Sequence, residues 1–309
     1  MARRPFRFGV ATRAVAPGAS WPDIARRIER LGYAVLTVPD HFRNDLAPVP
    51  ALTAAAAATS RVRVGSLVFA VDFHHPAVLA REAAAIDHLS DGRFELGLGA
   101  GWLRSEYEET GIGFAPPGTR VDRLTEAVAI VKGLLGEGRF SFAGRHFTIR
   151  DLEARPGAQR PRMPIVIGGG GRRTLTLAAR EADVVSFVPR ALRDGSALDL
   201  TDITDAGLLE KLTWVREAAG PRFEALELHT LIQAAVVTAD PARAAEGLAE
   251  RFRTTPARLR ECPFVLLGDV GEMCATLRHR RERYGISYVT VFDRDAEAFA
   301  PVVAQLAGT

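Results

Sequence analysis

The chain has 309 residues, 47% hydrophobic and 25% charged, with a formal net charge of +3. This is the composition of an ordinary soluble globular protein able to bury a large core. The small charge, with no basic run or arginine–aromatic stripe, argues against a nucleic-acid partner. The longest charge-free run, Leu46–Ser60, contains proline and falls short of the roughly 20 residues a membrane span requires.

In chain order, eight short apolar runs read as strands: Phe6–Val10, Val35–Val38, Val62–Phe69, Phe94–Leu98, Ile165–Gly168, Val184–Phe187, Leu228–Val237 and Tyr288–Phe292. They are continuous rather than alternating, which fits strands buried on both faces. Helical signals lie between them. Ser20, Pro22 and Asp23 open a helix that Gly32 stops. The alanine run Ala54–Ala58 reads as a closely packed helix, Pro76 starts another that runs to Leu89, and Val121 through Leu135 keeps 3-4 spacing. Asp240-Pro241, then Asp269 with Glu272, cap two more, and the last carries Phe299, Val303 and Leu306. Alternating strand and helix imply a parallel sheet, and eight such units imply one TIM-type (β/α)8 barrel domain over 1–309, with its working face at the strand C-terminal ends.

Two segments fall outside a bare barrel. Arg139–Ile149, with Ala143-Gly144 between aromatic arms, predicts a small β-hairpin before the fifth strand. Arg190–Ala206 is long and polar, as a lid or a disordered loop would be.

The N-terminal stretch is basic but has no apolar run behind it, so no secretory signal is read. Cys262 and Cys274 are the only cysteines and lack CxxC spacing, which fits a cytoplasmic location without a disulfide framework or zinc site. His74 and His75 have no further ligand at metal spacing and read as solvent-facing or capping residues, so no metal is expected.

The strongest local signal is a strand running into Gly168, Gly169, Gly170 and Gly171, followed by Arg172, Arg173 and a helix. Backbone N–H groups at such a helix start attract anions, and the arginines can add charge-assisted bonds to a phosphate. Asp40 and His41 directly follow the second strand, and histidine can exchange a proton near neutral pH. Asp40 is also a candidate turn cap. The glycines of Gly97-Leu98-Gly99-Ala100-Gly101-Trp102 would let a flat group lie on the backbone; Trp102 flanks a ligand or fills core. Glu106, one turn into the next helix, is either a surface carboxylate or a partner inside the cleft.

Together these stretches resemble the bacterial luciferase-like family of flavin and deazaflavin oxidoreductases. The matching residues run from Gly32-Tyr33 through Pro39-Asp40-His41-Phe42, from Val64-Gly65-Ser66 through His75-Pro76, from Arg81-Glu82 through Trp102, and over Pro164–Gly169. The wording Ser90-Asp91-Gly92-Arg93-Phe94-Glu95-Leu96-Gly97 is most similar to the subgroup using coenzyme F420. The resemblance implies a homodimer and a ring system bound across the C-terminal face. It also implies a non-proline cis peptide in a bulge of the third strand at Leu67–Val68, or at Ser66–Leu67, behind the ring. By the same resemblance His41 lies near the ring as a proton or hydrogen-bond donor, with Glu106 a second candidate. Asp40 touches the ring edge or orients His41. Ser66, Leu67 and Val68 back the ring, and Ala100, Gly101 and Trp102 line it. Gly168 to Gly171 and Arg172 hold its phosphate. The function implied is F420-dependent hydride exchange with a small organic substrate. The alternatives are an FMN-dependent monooxygenase served by a partner reductase, and a non-catalytic flavin-binding relative.

Overall fold

In the computed structural model, which describes residues 4–153 and 162–309, the strands meet edge to edge in a closed ring. Met1 to Arg3, part of the basic N-terminal stretch, lie outside the described residues. In chain order the strands are β1 (Arg7–Ala11), β2 (Val35–Val38), β3 (Arg63–Ser66), β4 (Phe69–Ala70), β5 (Phe94–Gly99), β6 (Arg139–Ala143), β7 (Thr148–Glu153), β8 (Ile165–Gly169), β9 (Val184–Phe187), β10 (Glu227–Leu231), β11 (Ala234–Val237), β12 (Val265–Gly268) and β13 (Ile286–Phe292). All pairings in the ring are parallel; β1 pairs with both β2 and β13, and β3 and β4 both pair with β5. Counting β3 and β4 as one interrupted strand, this is a TIM-type (β/α)8 barrel.

Helices cover the outside. Pro48–Ala58, Pro76–Leu89 and Pro117–Leu134 each begin on a proline, where the missing N–H has no helical acceptor to lose. Asp269 and Glu272 form a complete capping box at Val270–Tyr284, which Gly285 ends at φ +76°. The hairpin expected before the fifth barrel strand is present as antiparallel β6 and β7.

Two expected strands are each divided. Val62–Phe69 breaks between β3 and β4, where the Leu67–Val68 peptide is cis. Leu228–Val237 also breaks. The chain leaves the ring after Leu231, polar Gln233 donates its backbone N–H to Phe264 O (2.8 Å), and β11 pairs with β12 in a separate parallel sheet. That strand, β12, is built from the apolar run Val265–Gly268, which is not among the eight expected strands.

The barrel interior is polar near its lower end. Arg7 bridges Glu95 and Glu227 and lies over the Tyr288 ring at 4.0 Å, while Arg63 reaches Glu95 at 2.8 Å. One layer up, His229 is fully buried between Ser186 Oγ and Thr290 Oγ1, each at 2.8 Å. These groups are matched in charge or hydrogen-bonded, the condition under which polar groups are tolerated inside.

Candidate active site

Asp40 and His41 leave the end of β2 and are held by different partners. Two oxygens of the Glu106 carboxylate lie 2.9 and 3.1 Å from His41 Nδ1, and the Phe42 N–H donates to Glu106 Oε1 at 3.0 Å. Glu106 is 2% exposed, so the carboxylate faces the cleft rather than solvent. A carboxylate accepts from Nδ1–H, which fixes the tautomer and leaves Nε2 as the ring nitrogen open to another partner. Among the described residues Nε2 has no hydrogen-bond partner. The Trp102 ring stands edge-on to the imidazole at 6.2 Å.

Asp40 does not orient His41. Its Oδ2 accepts from the Ala70 N–H (3.0 Å) and from His74 Nε2 (2.8 Å), so it ties the β2 end to β4 and the segment after it. His74 is therefore a paired residue, unlike the solvent-facing or capping one expected. His75 does cap its helix, accepting from the Ala77 N–H.

The bulge between β3 and β4 accounts for Gly97 and Gly99, the glycines expected to form a ledge for a flat group. A Cβ at Gly97 would collide with the Ser66 carbonyl and come 2.9 Å from Val68 Cγ1; one at Gly99 would stand 2.5 Å from Val68 Cγ2. Gly168 faces the same side chain, at 3.3 Å. Ser66 Oγ donates to Gly97 O (2.8 Å) and accepts from the Gly97 N–H (3.2 Å). These glycines make room for the bulge, whose Val68 fills the space. Gly101, at φ +69°, is required because a Cβ there would collide with the Tyr107 hydroxyl. Leu67 and Ala100 are both partly exposed.

In the glycine run, a Cβ at Gly169 would meet Thr174 Cγ2 at 2.5 Å and one at Gly170 would meet Val188 O at 2.6 Å. At Gly171, the N-cap of the helix Arg172–Glu181, a Cβ would meet nothing. The open approach to that helix start is thus at Gly171. Arg172 is exposed and 3.8 Å from Glu217, whereas Arg173 is turned to Asp122 (2.7 Å) and is not part of this approach.

The long segment after β9 is tied back to the barrel through Asp202 and Gly195. Asp202, 2% exposed, accepts from the Arg190 N–H at 2.7 Å and pairs with the fully buried Lys211, which also donates to Val188 O (3.0 Å). Burial pushes the Lys211 ammonium below its ordinary range. The loop then docks on the rim through the Arg104 N–H to Gly195 O bond at 3.0 Å. Among the described residues no group of His, Cys, Asp or Glu is placed to hold a metal, and no helix is long and apolar enough to cross a membrane.

The carboxylate-held imidazole and the open helix start both lie on the C-terminal rim of the closed barrel, the face that carries the βα-loops. The chain belongs to the luciferase-like monooxygenase family, whose model matches residues 5–284. An uncharacterized protein of Mycobacterium tuberculosis is 32% identical over 152 residues, 49% of this chain and 53% of that one. Pyrimidine monooxygenase RutA of Escherichia coli K12 is 34% identical over 162 residues, 47% of this chain and 41% of that one. The chain thus spans about half the length of these curated relatives. An F420-dependent secondary alcohol dehydrogenase, solved with an F420-acetone adduct, superposes with TM-score 0.76 at 18% identity over 98% of both chains. The monooxygenase RslO1 of Streptomyces bottropensis gives 0.76 at 21% identity over 97% of this chain and 98% of its own. These two likenesses concern the fold.

Proposed function

We propose that this chain is an F420-dependent oxidoreductase of the luciferase-like family. The observation that carries the reading is the His41–Glu106 pair: a proton-exchanging nitrogen held at fixed orientation on the barrel rim. The bulge backed by Gly97, Gly99 and Gly168, and the unobstructed helix start at Gly171, fit a flat phosphorylated coenzyme. When bound, that coenzyme supplies hydride exchange at its C5 with a small organic substrate. Glu106 keeps the His41 tautomer fixed, and Nε2 holds or releases the proton that accompanies hydride exchange. The N–H groups at the start of Arg172–Glu181 would hold the phosphate, with the exposed Arg172, now paired at 3.8 Å with Glu217, within reach of the same helix start. Trp102 and the loop docked through Gly195 restrict water at the rim.

The sequence likeness to a pyrimidine monooxygenase favours one second reading, an FMN-dependent monooxygenase supplied by a reductase. One experiment separates the two. Purified protein is titrated with F420 and with FMN by fluorescence, then assayed for substrate turnover with each coenzyme supplied in its oxidised and in its chemically reduced form, under argon and in air. Tight F420 binding with turnover under argon supports the proposal. FMN preference with turnover only in air overturns it in favour of the monooxygenase.

A further inference from the structure

The rim opposite the glycine run carries a group of cations that the His41 chemistry does not use. The register pairing Ala11 with Phe292 brings Arg13 and Arg294 to neighbouring positions, each two residues past its partner strand's last pair. Both guanidinium carbons lie 4.6 Å from the centroid of the Phe292 ring. Two cations on one ring repel each other, and Arg251 adds a third: Arg294 and Arg251 both act on Arg13 as like charges. Arg294 donates to Gln233 O (2.9 Å) and has Asp295 at 3.6 Å, but Asp295 Oδ2 is also taken by the Ala235 N–H. Among the described residues the Arg13 side chain has no hydrogen bond and no ion pair. Desolvation and these like charges hold the Arg13 guanidinium below its ordinary range, and Glu106 is the carboxylate that opposes them.

We propose that Arg13 and Arg294, with Arg251 adding to the local positive charge, form a subsite for an anionic oxygen group of the substrate, a carboxylate or a phosphate. The Phe292 ring supports both guanidinium faces; the Arg13 N–H edge is left for a forked acceptor, the geometry in which arginine binds such groups best, while Arg294, whose Nη2 donates to Gln233 O and whose Nε faces Asp295, adds Nη1 and its charge. A bound anion also removes the repulsion between the two cations. The subsite belongs to the substrate because of its place on the ring. From β8, which ends in the glycine run, β1 is reached through β9, β10 and β13 one way and through β5, β3 and β2 the other. The arginines therefore stand diametrically across the barrel mouth from the phosphate site, with His41 at the end of the adjacent strand β2. This assignment rests on the reading of the site given above.

The test is calorimetric titration of succinate and of inorganic phosphate, at low ionic strength. The proteins are wild type, Arg13→Gln, Arg294→Gln and the double variant, each without coenzyme and saturated with F420 or FMN. The expected result is a loss of about tenfold or more in succinate and phosphate affinity for the coenzyme-saturated double variant, as removal of charge-assisted bonds predicts. Coenzyme affinity stays within about threefold, since the phosphate site is across the mouth. Arg13 is exposed, so Arg13→Gln alone carries the test if replacing Arg294 lowers the melting temperature. Equal anion affinity in wild type and variants, or no anion binding by wild type, overturns the subsite. A parallel fall in coenzyme affinity assigns the arginines to the coenzyme's own charged tail and overturns the substrate assignment. Anion binding that depends on Arg13 in a protein binding neither coenzyme would instead sink the oxidoreductase reading and leave the subsite standing.

Discussion

His41 and Glu106 stand 65 positions apart in the chain and meet at 2.9 Å. The position of His41 was legible, because a histidine directly after a buried strand projects at the working face of a barrel. The role of Glu106 was not. A carboxylate in the first turn of a short helix reads equally as surface or cleft, and only tertiary packing against the β2 end decides. Asp40 shows the same limit: the resemblance implied that it touches the ring edge or orients His41, but neighbours along an extended chain diverge, and its carboxylate bonds to Ala70 and His74. Replacing His41 by alanine should lower turnover by about a hundredfold or more while coenzyme affinity stays within a few fold, as loss of a positioned proton donor does. Steady-state kinetics beside a fluorescence titration read both quantities. Turnover at the wild-type rate would make His41 a structural residue.

At the level of elements, the glycine-rich strand–helix turn was legible as a unit, but the reasons for its glycines were not. Gly168, Gly169 and Gly170 answer to Val68, Thr174 and Val188, contacts that come from other parts of the chain or from the turn's own fold. Gly171 alone in the run is open on the structure and keeps an extended φ of −93° that any residue adopts. Two valine substitutions should therefore behave differently. Gly171→Val should leave the melting temperature near wild type and weaken coenzyme binding about tenfold, because a branched side chain blocks the helix start. Gly169→Val should destabilise the fold itself by roughly 1–3 kcal/mol through overpacking against Thr174. Thermal melts and fluorescence titration of the pair separate the outcomes; unchanged affinity in Gly171→Val would remove the phosphate site. The divided strands follow the same logic. Apolar runs reveal that a segment is buried; the break at Leu67–Val68, with its cis peptide, was legible only through the family resemblance, and the departure after Leu231 depends on which strands lie alongside.

For the molecule as a whole, ring closure was legible from the count and spacing of strands, but the content of the barrel was not. Continuous apolar runs gave no sign that Arg7, Arg63, Glu95, Glu227 and His229 all sit within the ring. Each is compensated by a partner on another strand, and sequence distance hides such pairing. His229 has the clearest consequence. Burial, with a smaller contribution from the Arg7 charge, lowers its pKa from the ordinary 6.5 to about 3. In the unfolded chain it protonates near pH 6.5, while in the folded barrel it stays neutral. Between those values the unfolded state binds the extra proton, so this group's contribution to stability is full above pH 6.5 and declines as the pH falls toward 3. The slope from one such proton approaches about 1.4 kcal/mol per pH unit. Urea unfolding of wild type and His229→Gln at pH 7, 6 and 5, above the range where most carboxylates titrate, should give a steeper decline for wild type, even if the variant starts from lower stability. Parallel curves would mean that the imidazole takes up a proton inside the barrel, with Ser186 and Thr290 rearranged to accept from both ring nitrogens.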